Sequence, residues 1–524
     1  MQDEGRPVAD RPEAAPGRPA TRRPGHRRRA DVVAVVALLV SVPVVHPVGP
    51  LLRSPYWLDE SWVALAAKAR LADLPWVSAS SPLGWTLLVW ALPEHGQIHR
   101  LVAYLFLAGS VVAAYALART LAWPSRSRAV TAGLFAGAAT LLVPAQLMRH
   151  DLKQYTADAA VALLLLATMV WAESNWSRRR LAVTGGAVVT GMLVSHPAAL
   201  VGGAVLGGLL VAAACSRRPD RLRAAALTAA ATAGAAAVVH WVVDRPAQNH
   251  ALSDYWSGYF PSLETLPAYL GTRLDLLRAA LGAPWQVVVA LAVLGVVAVA
   301  RMGRPATATA LVLLPVTAVA AGLASLYPLL DQRTSHYLLV TVVAVAGIGV
   351  VYATSWVARD VVVAGLLVAA LTLYAAANRA ALVHQPAPGA PAEDVRAQVT
   401  FVAGHRGPGD VVLVNFSGQY GFAYYWDRDR PLLRRGGPMA TGWYVEYPAD
   451  ARILIAGGRD AGAVGAAVSD AERLAGACGR IWLVRSHVNP DEADAWRTAL
   501  LRRDVQVVPV GPEPVAVVTA GPQC

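Results

Sequence analysis

Eleven apolar stretches follow one another along this chain, and almost no ionisable residue interrupts them. Each is roughly 17–23 residues long, which is enough for a helix to cross a hydrocarbon core of about 30 Å. We therefore predict eleven membrane-spanning helices. The predicted spans lie near residues 31–52, 100–120, 129–148, 155–172, 181–195, 198–215, 223–243, 285–300, 305–327, 336–355 and 359–380.

The last 140 or so residues follow a different pattern. Short β-branched runs at 411–416, 452–457, 480–484 and 505–510 alternate with amphipathic segments near 392–405, 463–477 and 490–503. Strands that alternate with helices predict an α/β domain with a largely parallel sheet. The predicted fold class is an α-helical polytopic membrane domain followed by a C-terminal extracytoplasmic α/β domain.

Three parts follow from these patterns. Residues 1–30 are rich in proline and arginine and predict a disordered basic cytoplasmic tail. Residues 31–384 form the membrane domain, and residues 385–524 form the α/β domain. Two connections inside the membrane domain are long, at 53–98 and 244–284. In the first of them the helical spacing of apolar residues predicts a helix lying in the membrane interface.

Composition agrees with a membrane protein and gives its orientation. The chain has 524 residues, of which 15% are charged, where soluble domains carry about 25%. Its net charge of +12 does not require nucleic acid, because cytoplasmic loops of membrane proteins collect Arg and Lys. The basic connectors at 123–128, 175–180, 216–223, 301–305 and Arg359 all fall on the tail's side. We predict a plasma-membrane protein with its N-terminus inside and its C-terminal domain outside.

Among the basic residues Arg far outnumbers Lys, which suggests a GC-rich, actinobacterial genome.

The acidic pair Asp59 and Glu60 stands just after the first span, in WLDES (57–61), between Trp57 and Trp62. Two solvated loop carboxylates would be an ordinary explanation. The flanking tryptophans instead favour a position at the membrane surface, where the carboxylates could serve chemistry.

Several motifs in order resemble the glycosyltransferase C superfamily, whose members are polytopic enzymes that use polyprenyl-phosphate sugars. They are WLDES (57–61), SSPLG (80–84), Arg100, RHDLKQYTAD (149–158) and LYPLLDQRTSHYL (326–338). The resemblance covers roughly residues 30–380. It is strongest to bacterial proteins related to protein mannosyltransferases and lipid-A aminoarabinose transferases. Actinobacterial arabinosyl- and mannosyltransferases belong to the same superfamily.

The resemblance implies an enzyme that moves a sugar from a polyprenyl-phosphate donor to an envelope acceptor, which could be a glycan, a lipid or a protein. It places an essential acidic residue at Asp59, and we predict that Asp59 is the general base of an inverting transfer. Glu60 would orient the acceptor or hold a divalent cation. No cofactor is certain, and one acidic pair offers too few ligands to argue for a metal.

The leaving lipid phosphate needs cations to receive its charge. Polar side chains at the outer ends of separate spans could converge on it, although cations snorkelling at helix ends are an alternative. The predicted phosphate-binding residues are Arg100, Arg149, His150, Lys153, Tyr155 and Arg333.

The C-terminal domain contains many aromatic residues between 416 and 447. Aromatic faces stack on sugar rings, so Trp443 and Tyr444 could bind the acceptor; packing between the two domains is the alternative. The predicted compartment permits a disulfide between Cys478 and Cys524, and two free thiols are the other possibility.

Two other functions stay open. A transporter or flippase of lipid-linked sugars would place ionisable residues inside the bilayer, where this sequence has few. A non-catalytic envelope scaffold would not need the acidic pair at 59–60, which this chain has.

Overall fold

The computed structural model describes residues 25–78, 81–93, 96–247, 250–355, 357, 359–383, 393–426, 432–437, 439 and 441–519, with the backbone alone described at 25–28, 149–150, 250–251 and 253. Most of the predicted tail therefore lies outside the described residues. Helix α1 already begins at Gly25, so the first helix starts earlier than the predicted boundary at residue 31.

Helices dominate the first 383 residues. In the described part of the chain, each of the eleven predicted spans coincides with an α-helix. Seven of these helices are long and apolar enough to cross a membrane, which supports a membrane protein; the count of eleven crossings and their orientation stay predictions.

The α-helices of the described chain are α1 (Gly25–Val45), α2 (Val48–Arg53), α3 (Leu58–Ala66), α4 (Leu74–Val77), α5 (Leu83–Trp90), α6 (Arg100–Arg119), α7 (Arg126–Leu142), α8 (Tyr155–Ser174), α9 (Arg178–Met192), α10 (Ala198–Cys215), α11 (Pro219–Val239), α12 (His250–Tyr255), α13 (Leu266–Leu276), α14 (Arg278–Leu281), α15 (Trp285–Arg301), α16 (Pro305–Leu323), α17 (His336–Thr354), α18 (Asp360–Ala377), α19 (Arg379–Val383), α20 (Val395–His405), α21 (Gln419–Trp426), α22 (Ala461–Ala475) and α23 (Pro490–Leu500).

The C-terminal residues form a small α/β unit, as their alternating pattern predicts. Its strands are β1 (Val411–Val414), β2 (Leu432–Arg435), β3 (Trp443–Glu446), β4 (Ile453–Ile455), β5 (Arg480–Val484), β6 (Val505–Val508) and β7 (Val515–Thr519). Five strands make one sheet in the order β4-β1-β5-β7-β6. Strands β4, β1 and β5 are parallel, and β7 and β6 join antiparallel. Sequence reasoning missed β7 and the β2–β3 hairpin.

Helix α3 is covered rather than exposed at an interface. Sequence reasoning predicted a helix lying in the membrane interface here, but most of α3 is buried and packs against α21 of the α/β unit. Ring and carbonyl contacts hold the two units together: the Trp443 indole donates a hydrogen bond to the Val77 carbonyl (3.1 Å), and Lys68 Nζ donates to the Tyr424 carbonyl (3.0 Å). The α/β unit is therefore docked directly on the first long connection.

Cys478 is disulfide-bonded. Cys524, its partner in the disulfide that the sequence permits, lies outside the described residues. Cys215 is a free, exposed cysteine.

Helices α15 and α17 pack so closely that glycine is required between them. A Cβ added at Gly349 of α17 would lie 2.0 Å from the Leu291 carbonyl oxygen of α15, and one added at Gly295 would lie 2.2 Å from the Val345 carbonyl oxygen. Small residues that let helix backbones approach are typical of membrane helix interfaces.

We predict that Gly349→Val destabilises the protein, because the side chain would have to separate two backbones. The expected cost is at least the ~1–3 kcal/mol of an overpacked core, measured as a lower melting temperature of the full chain in detergent. Gly365→Val in α18 is the matched control, since a Cβ there meets nothing within 4 Å. Equal melting temperatures for the two variants would contradict the packing argument.

Candidate functional site

A cavity of about 970 Å³ lies between the membrane helices and the α/β unit. Residues from both units line it. They include Trp57, Asp59, Trp62, Lys153, Tyr155, Met192, His196, Ala199, His240, Val243, Asp244, Leu252, Tyr255, Trp256, Leu326, Tyr327, Arg333, Phe416, Arg459 and His487. The wall of this cavity contains three charged residues that the sequence predicted as site residues: Asp59, Lys153 and Arg333.

Asp59 is the meeting point of two cations. Its Oδ2 lies 2.7 Å from Arg333 Nη1 and 3.7 Å from Lys153 Nζ. Asp59 is in the first turn of α3, while Lys153 and Arg333 stand shortly before α8 and α17. The structure thus brings together three residues that are up to 274 positions apart, and two of them, Lys153 and Arg333, were expected to converge because they lie at the outer ends of separate predicted spans.

The surrounding loops hold these side chains in place. Asp331 Oδ2 accepts hydrogen bonds from the backbone N–H groups of Arg333 and Thr334, both at 3.0 Å, which folds the turn before α17. Arg333 Nη2 also donates to the Tyr255 hydroxyl (3.1 Å). The Lys153 ammonium lies 4.2 Å from the centre of the Trp62 ring, a cation–π contact.

Burial and mutual charge shift the titration of this cluster. Burial, and next the negative charge of Asp59, raise the pKa of Asp151 to about 7. Burial lowers the pKa of Lys153, and Asp59 and Asp151 oppose that effect only in part. For Arg333, burial would lower the pKa, but Tyr155, Asp59 and Asp151 raise it above its ordinary value.

Glu60 does not share the position of Asp59. It is fully buried and forms an ion pair with the equally buried Arg100. Arg100 Nε donates to Glu60 Oε1 (2.6 Å), and the Leu152 N–H donates to the same oxygen (3.1 Å). Burial raises the pKa of Glu60 while the Arg100 charge opposes the rise.

Arg100 also binds the chain that precedes α3. Its guanidinium donates to the carbonyl oxygens of Leu51 (2.6 Å), Ser54 (2.7 Å) and Pro55 (2.9 Å). Neither Arg100 nor Glu60 is among the residues that line the cavity. This location corrects the roles expected of both: Arg100 is placed to fix the turn before Asp59 rather than to bind phosphate, and Glu60 to pair with it rather than to orient an acceptor or hold a cation.

The remaining predicted residues fall into three groups. Tyr155 is buried in the cavity wall. The side chains of Arg149 and His150 lie outside the described part of the structure. Trp443 is fully buried against Tyr420, with ring centres 4.9 Å apart, and its burial supports the alternative of packing between the domains. Tyr444 is exposed and is not among the residues that line the cavity.

Several cavity residues were not predicted. His196, His240 and Asp244 gather on the side of α10 and α11, with His240 Nδ1 3.7 Å from Asp244 Oδ2. Arg459 and His487 come from loops of the α/β unit. The signal for this last pair was present in the sequence, since both follow predicted parallel strands. Among the described residues, no three His, Cys, Asp or Glu side chains are grouped as metal ligands.

No family model and no curated protein matches this sequence. Solved structures do match its fold. The crystal structure of ArnT from Cupriavidus metallidurans in the apo state superposes with a TM-score of 0.54 at 15% identity, over 94% of this chain and 98% of that chain. The structure of ArnT bound to undecaprenyl phosphate superposes with a TM-score of 0.52 at 16% identity, over the same shares of the two chains. The Archaeoglobus fulgidus oligosaccharyltransferase in complex with Zn and sulfate superposes with a TM-score of 0.50 at 11% identity, over 92% of this chain and 72% of that chain.

The chain therefore shares the fold of these neighbours, the glycosyltransferase C fold that its sequence motifs resemble. Within that class, both ArnT structures match nearly the whole of this chain, including its C-terminal unit.

We predict that Arg100→Met is strongly destabilising, because it leaves the Glu60 carboxylate buried without a cation. Breaking a buried pair from one side costs about 3–5 kcal/mol, measured by thermal unfolding in detergent. Arg473→Met is the control, since Arg473 pairs with Asp470 at an exposed position where such pairs contribute about 0–1 kcal/mol. An Arg100 variant as stable as this control would refute the structural role.

The pKa of Asp151 predicts a pH dependence of stability. The folded protein holds this proton up to about pH 7, while the unfolded chain releases it near the ordinary aspartate pKa of about 3.9. Stability from this group is therefore present at low pH and lost as the pH rises through 7.

We expect Asp151→Asn to flatten the fall in melting temperature of the wild type between pH 5 and pH 8. Asp470→Asn, at an exposed position, is expected to leave that fall unchanged. A wild-type slope that Asp151→Asn does not alter would show that Asp151 ionises normally.

Proposed function

We propose that this protein is a membrane glycosyltransferase that moves a sugar from a polyprenyl-phosphate donor to an envelope acceptor at the outer face of the membrane. The observation that carries the proposal is the meeting of Asp59, Arg333 and Lys153 in one cavity between two units. A base and two cations are the groups that this transfer needs.

The charges of this cluster favour an anionic ligand. Arg333 and Lys153 are two cations that face one carboxylate, Asp59. Burial and the negative charge of Asp59 raise the pKa of the nearby Asp151 to about 7, which reduces its negative charge at neutral pH. Among the charged groups that contact Asp59, the two cations outnumber the one carboxylate. This arrangement suits a phosphate, and Arg333 can present two parallel N–H groups to its oxygens.

The reaction forms one C–O bond, breaks another and transfers one proton. The acceptor hydroxyl oxygen attacks the anomeric carbon of the donor, and its proton passes to the Asp59 carboxylate. The bond between that carbon and the phosphate oxygen breaks, and its electron pair leaves with the polyprenyl phosphate. Arg333 and Lys153 stabilise the charge that develops there. Attack opposite the leaving group inverts the anomeric configuration.

Donor binding also activates the base. Without a donor, the Asp59 carboxylate is engaged by a hydrogen-bonded ion pair with Arg333. A phosphate that engages Arg333 and Lys153 competes with Asp59 for them. The carboxylate is then free to accept the acceptor's proton, so the base becomes effective only when the donor is in place.

The cavity also has an apolar wall that suits a lipid chain. Met192, Ala199, Val243, Leu252 and Leu326 line it beside α9 to α11 and the ends of neighbouring helices. ArnT, which shares the fold, has been crystallised with undecaprenyl phosphate. Both observations support a polyprenyl carrier as the lipid part of the donor.

Asp59→Asn separates the two roles of Asp59. We expect turnover to fall about 10²–10⁴-fold, the usual worth of a general base. We expect polyprenyl phosphate to bind about fivefold tighter, because an ion pair worth ~1 kcal/mol no longer competes for Arg333. Arg333→Gln should weaken both turnover and binding.

The measurement uses the full chain in nanodiscs, with polyprenyl-phosphate pentoses and hexoses as donors and polyprenyl phosphate as a competing ligand. Asp254→Asn is the control, since this exposed carboxylate is absent from the cavity wall. Near wild-type turnover in Asp59→Asn would remove Asp59 as the base. A protein that turns over no donor at all would defeat the proposed function.

A further inference from the structure

The sheet of the α/β unit has a switch point at its centre. From β1 the chain passes to β4 on one side of β1, and from β4 it crosses through α22 to β5 on the other side. All three strands are parallel, so their carboxyl ends meet at one edge. Open α/β sheets bind ligands in the crevice outside these ends, at the point where the strand order reverses.

This crevice opens into the cavity that holds Asp59. Phe416 follows β1, Arg459 follows β4 and His487 follows β5, and all three side chains line the cavity. The first long connection is adjacent: the Leu58 N–H, next to Asp59, donates to Glu393 Oε2 (2.9 Å), and Glu393 Oε1 bonds His487 Nδ1 (2.7 Å).

The floor of the crevice is a rigid polar network. Asn415 is fully buried, and its Nδ2 donates to the Ser486 carbonyl and to Glu492 Oε1, both at 2.9 Å. Its Oδ1 accepts from the N–H groups of Gly418 and Ser486, both at 3.0 Å. One side chain thus ties the loop after β1 to the loop after β5, and the crevice is formed before any ligand binds.

Two polar side chains rise from this floor with exposed faces. Arg459 donates from Nε (3.1 Å) and Nη2 (2.7 Å) to the Ser417 hydroxyl, and its side chain is 39% exposed. His487 has a 42% exposed side chain on a left-handed backbone, with φ of 53°. A non-glycine residue held in that region is under strain and is a frequent mark of a functional site.

Each cation of the crevice has a carboxylate partner, and Glu513 Oε1 also accepts a hydrogen bond from the His487 N–H (3.1 Å). Arg459 lies 3.8 Å from the buried Glu492 carboxylate, and His487 has Glu393 as its partner. This balance differs from the Asp59 cluster, where two cations share one carboxylate. Cationic donors whose charge is already balanced by carboxylates suit hydroxyl groups better than a phosphate or a carboxylate. The Phe416 ring beside Arg459, with the guanidinium 5.7 Å from its centre, adds an aromatic surface of the kind that sugar rings contact.

We propose that the crevice at the carboxyl ends of β1, β4 and β5 binds a neutral sugar of the acceptor, with Arg459 and His487 as hydrogen-bonding ligands that aim its hydroxyl at Asp59. This inference rests on the proposed function and adds to it that the acceptor is an uncharged glycan. The two halves of the cavity then divide the substrates: the membrane helices hold the donor phosphate and the α/β unit holds the acceptor sugar.

A binding experiment tests this independently of turnover. Saturation-transfer NMR on the full chain in nanodiscs would use methyl mannoside, methyl arabinofuranoside and methyl glucuronide as probes. We expect signals from at least one neutral glycoside, weaker signals from the glucuronide, and loss of the signal in Arg459→Gln and in His487→Asn. Asparagine tolerates the left-handed backbone at 487, so the second variant removes the ring without adding strain.

Kinetics supply the second measurement. In both variants the KM for a neutral acceptor should rise at least about tenfold, the worth of one hydrogen bond to a charged group, while the affinity for polyprenyl phosphate stays as in the wild type. Arg497→Gln, at an exposed position of α23, is the control for charge removal on this unit.

The outcomes are distinct. Absence of any glycoside signal in the wild type, a preference for the glucuronide, or unchanged binding in Arg459→Gln and His487→Asn overturns the acceptor site. Failure of the whole protein to turn over any donor, with glycoside binding intact and lost in the variants, overturns the proposed transfer and leaves the sugar site standing.

Discussion

The buried ion pair between Glu60 and Arg100 is the interaction on which the site depends. Two charges in a fully buried position are stable only as a pair with their remaining hydrogen bonds satisfied, and the backbone supplies these bonds. Arg100 collects the carbonyl oxygens of Leu51, Ser54 and Pro55, and Glu60 accepts from the Leu152 N–H. One pair therefore sets the turn before Asp59 and the segment that carries Lys153, and it brings the base and its cation together.

The adjacent residue, Asp59, has the opposite environment although it is one position away. On a helix, neighbouring residues point in directions about 100° apart, so the first turn of α3 can bury one carboxylate and present the other to the cavity. Glu60 is satisfied permanently by Arg100, whereas Asp59 shares two cations that a phosphate can claim. This difference gives Glu60 a structural role and Asp59 a chemical role, although the sequence alone does not distinguish the two carboxylates.

The sequence predicted the parts of this fold that follow from local patterns. Apolar length predicted the helices, and β-branched runs predicted β1, β4, β5 and β6. The position of Lys153 and Arg333 at the ends of separate predicted spans suggested that they could meet. It could not reveal burial, because burial depends on what packs above a segment. The amphipathic spacing of α3 predicted a membrane interface, and the structure covers that helix with α21. Because burial was not visible in the sequence, Arg100 and Trp443 were also predicted to bind ligands, although both are fully buried. The loop residues Arg459 and His487 carry no motif; each follows a predicted strand, but the strand order that places both beside the cavity comes from the structure.

The position of the α/β unit completes the cavity, and its contacts link that position to the base. The Tyr56 N–H donates to the Tyr425 hydroxyl (2.7 Å), and Glu393 joins Leu58 to His487. These bonds lie one to three residues from Asp59, so a shift of the α/β unit would move the first turn of α3 with it. The hydrogen bond to Glu393 raises the pKa of His487 although burial opposes the rise, which favours the charged imidazole that holds this link. An acceptor seated in the crevice would therefore rest on the same elements that aim the base, and acceptor position and base position would be set together rather than separately.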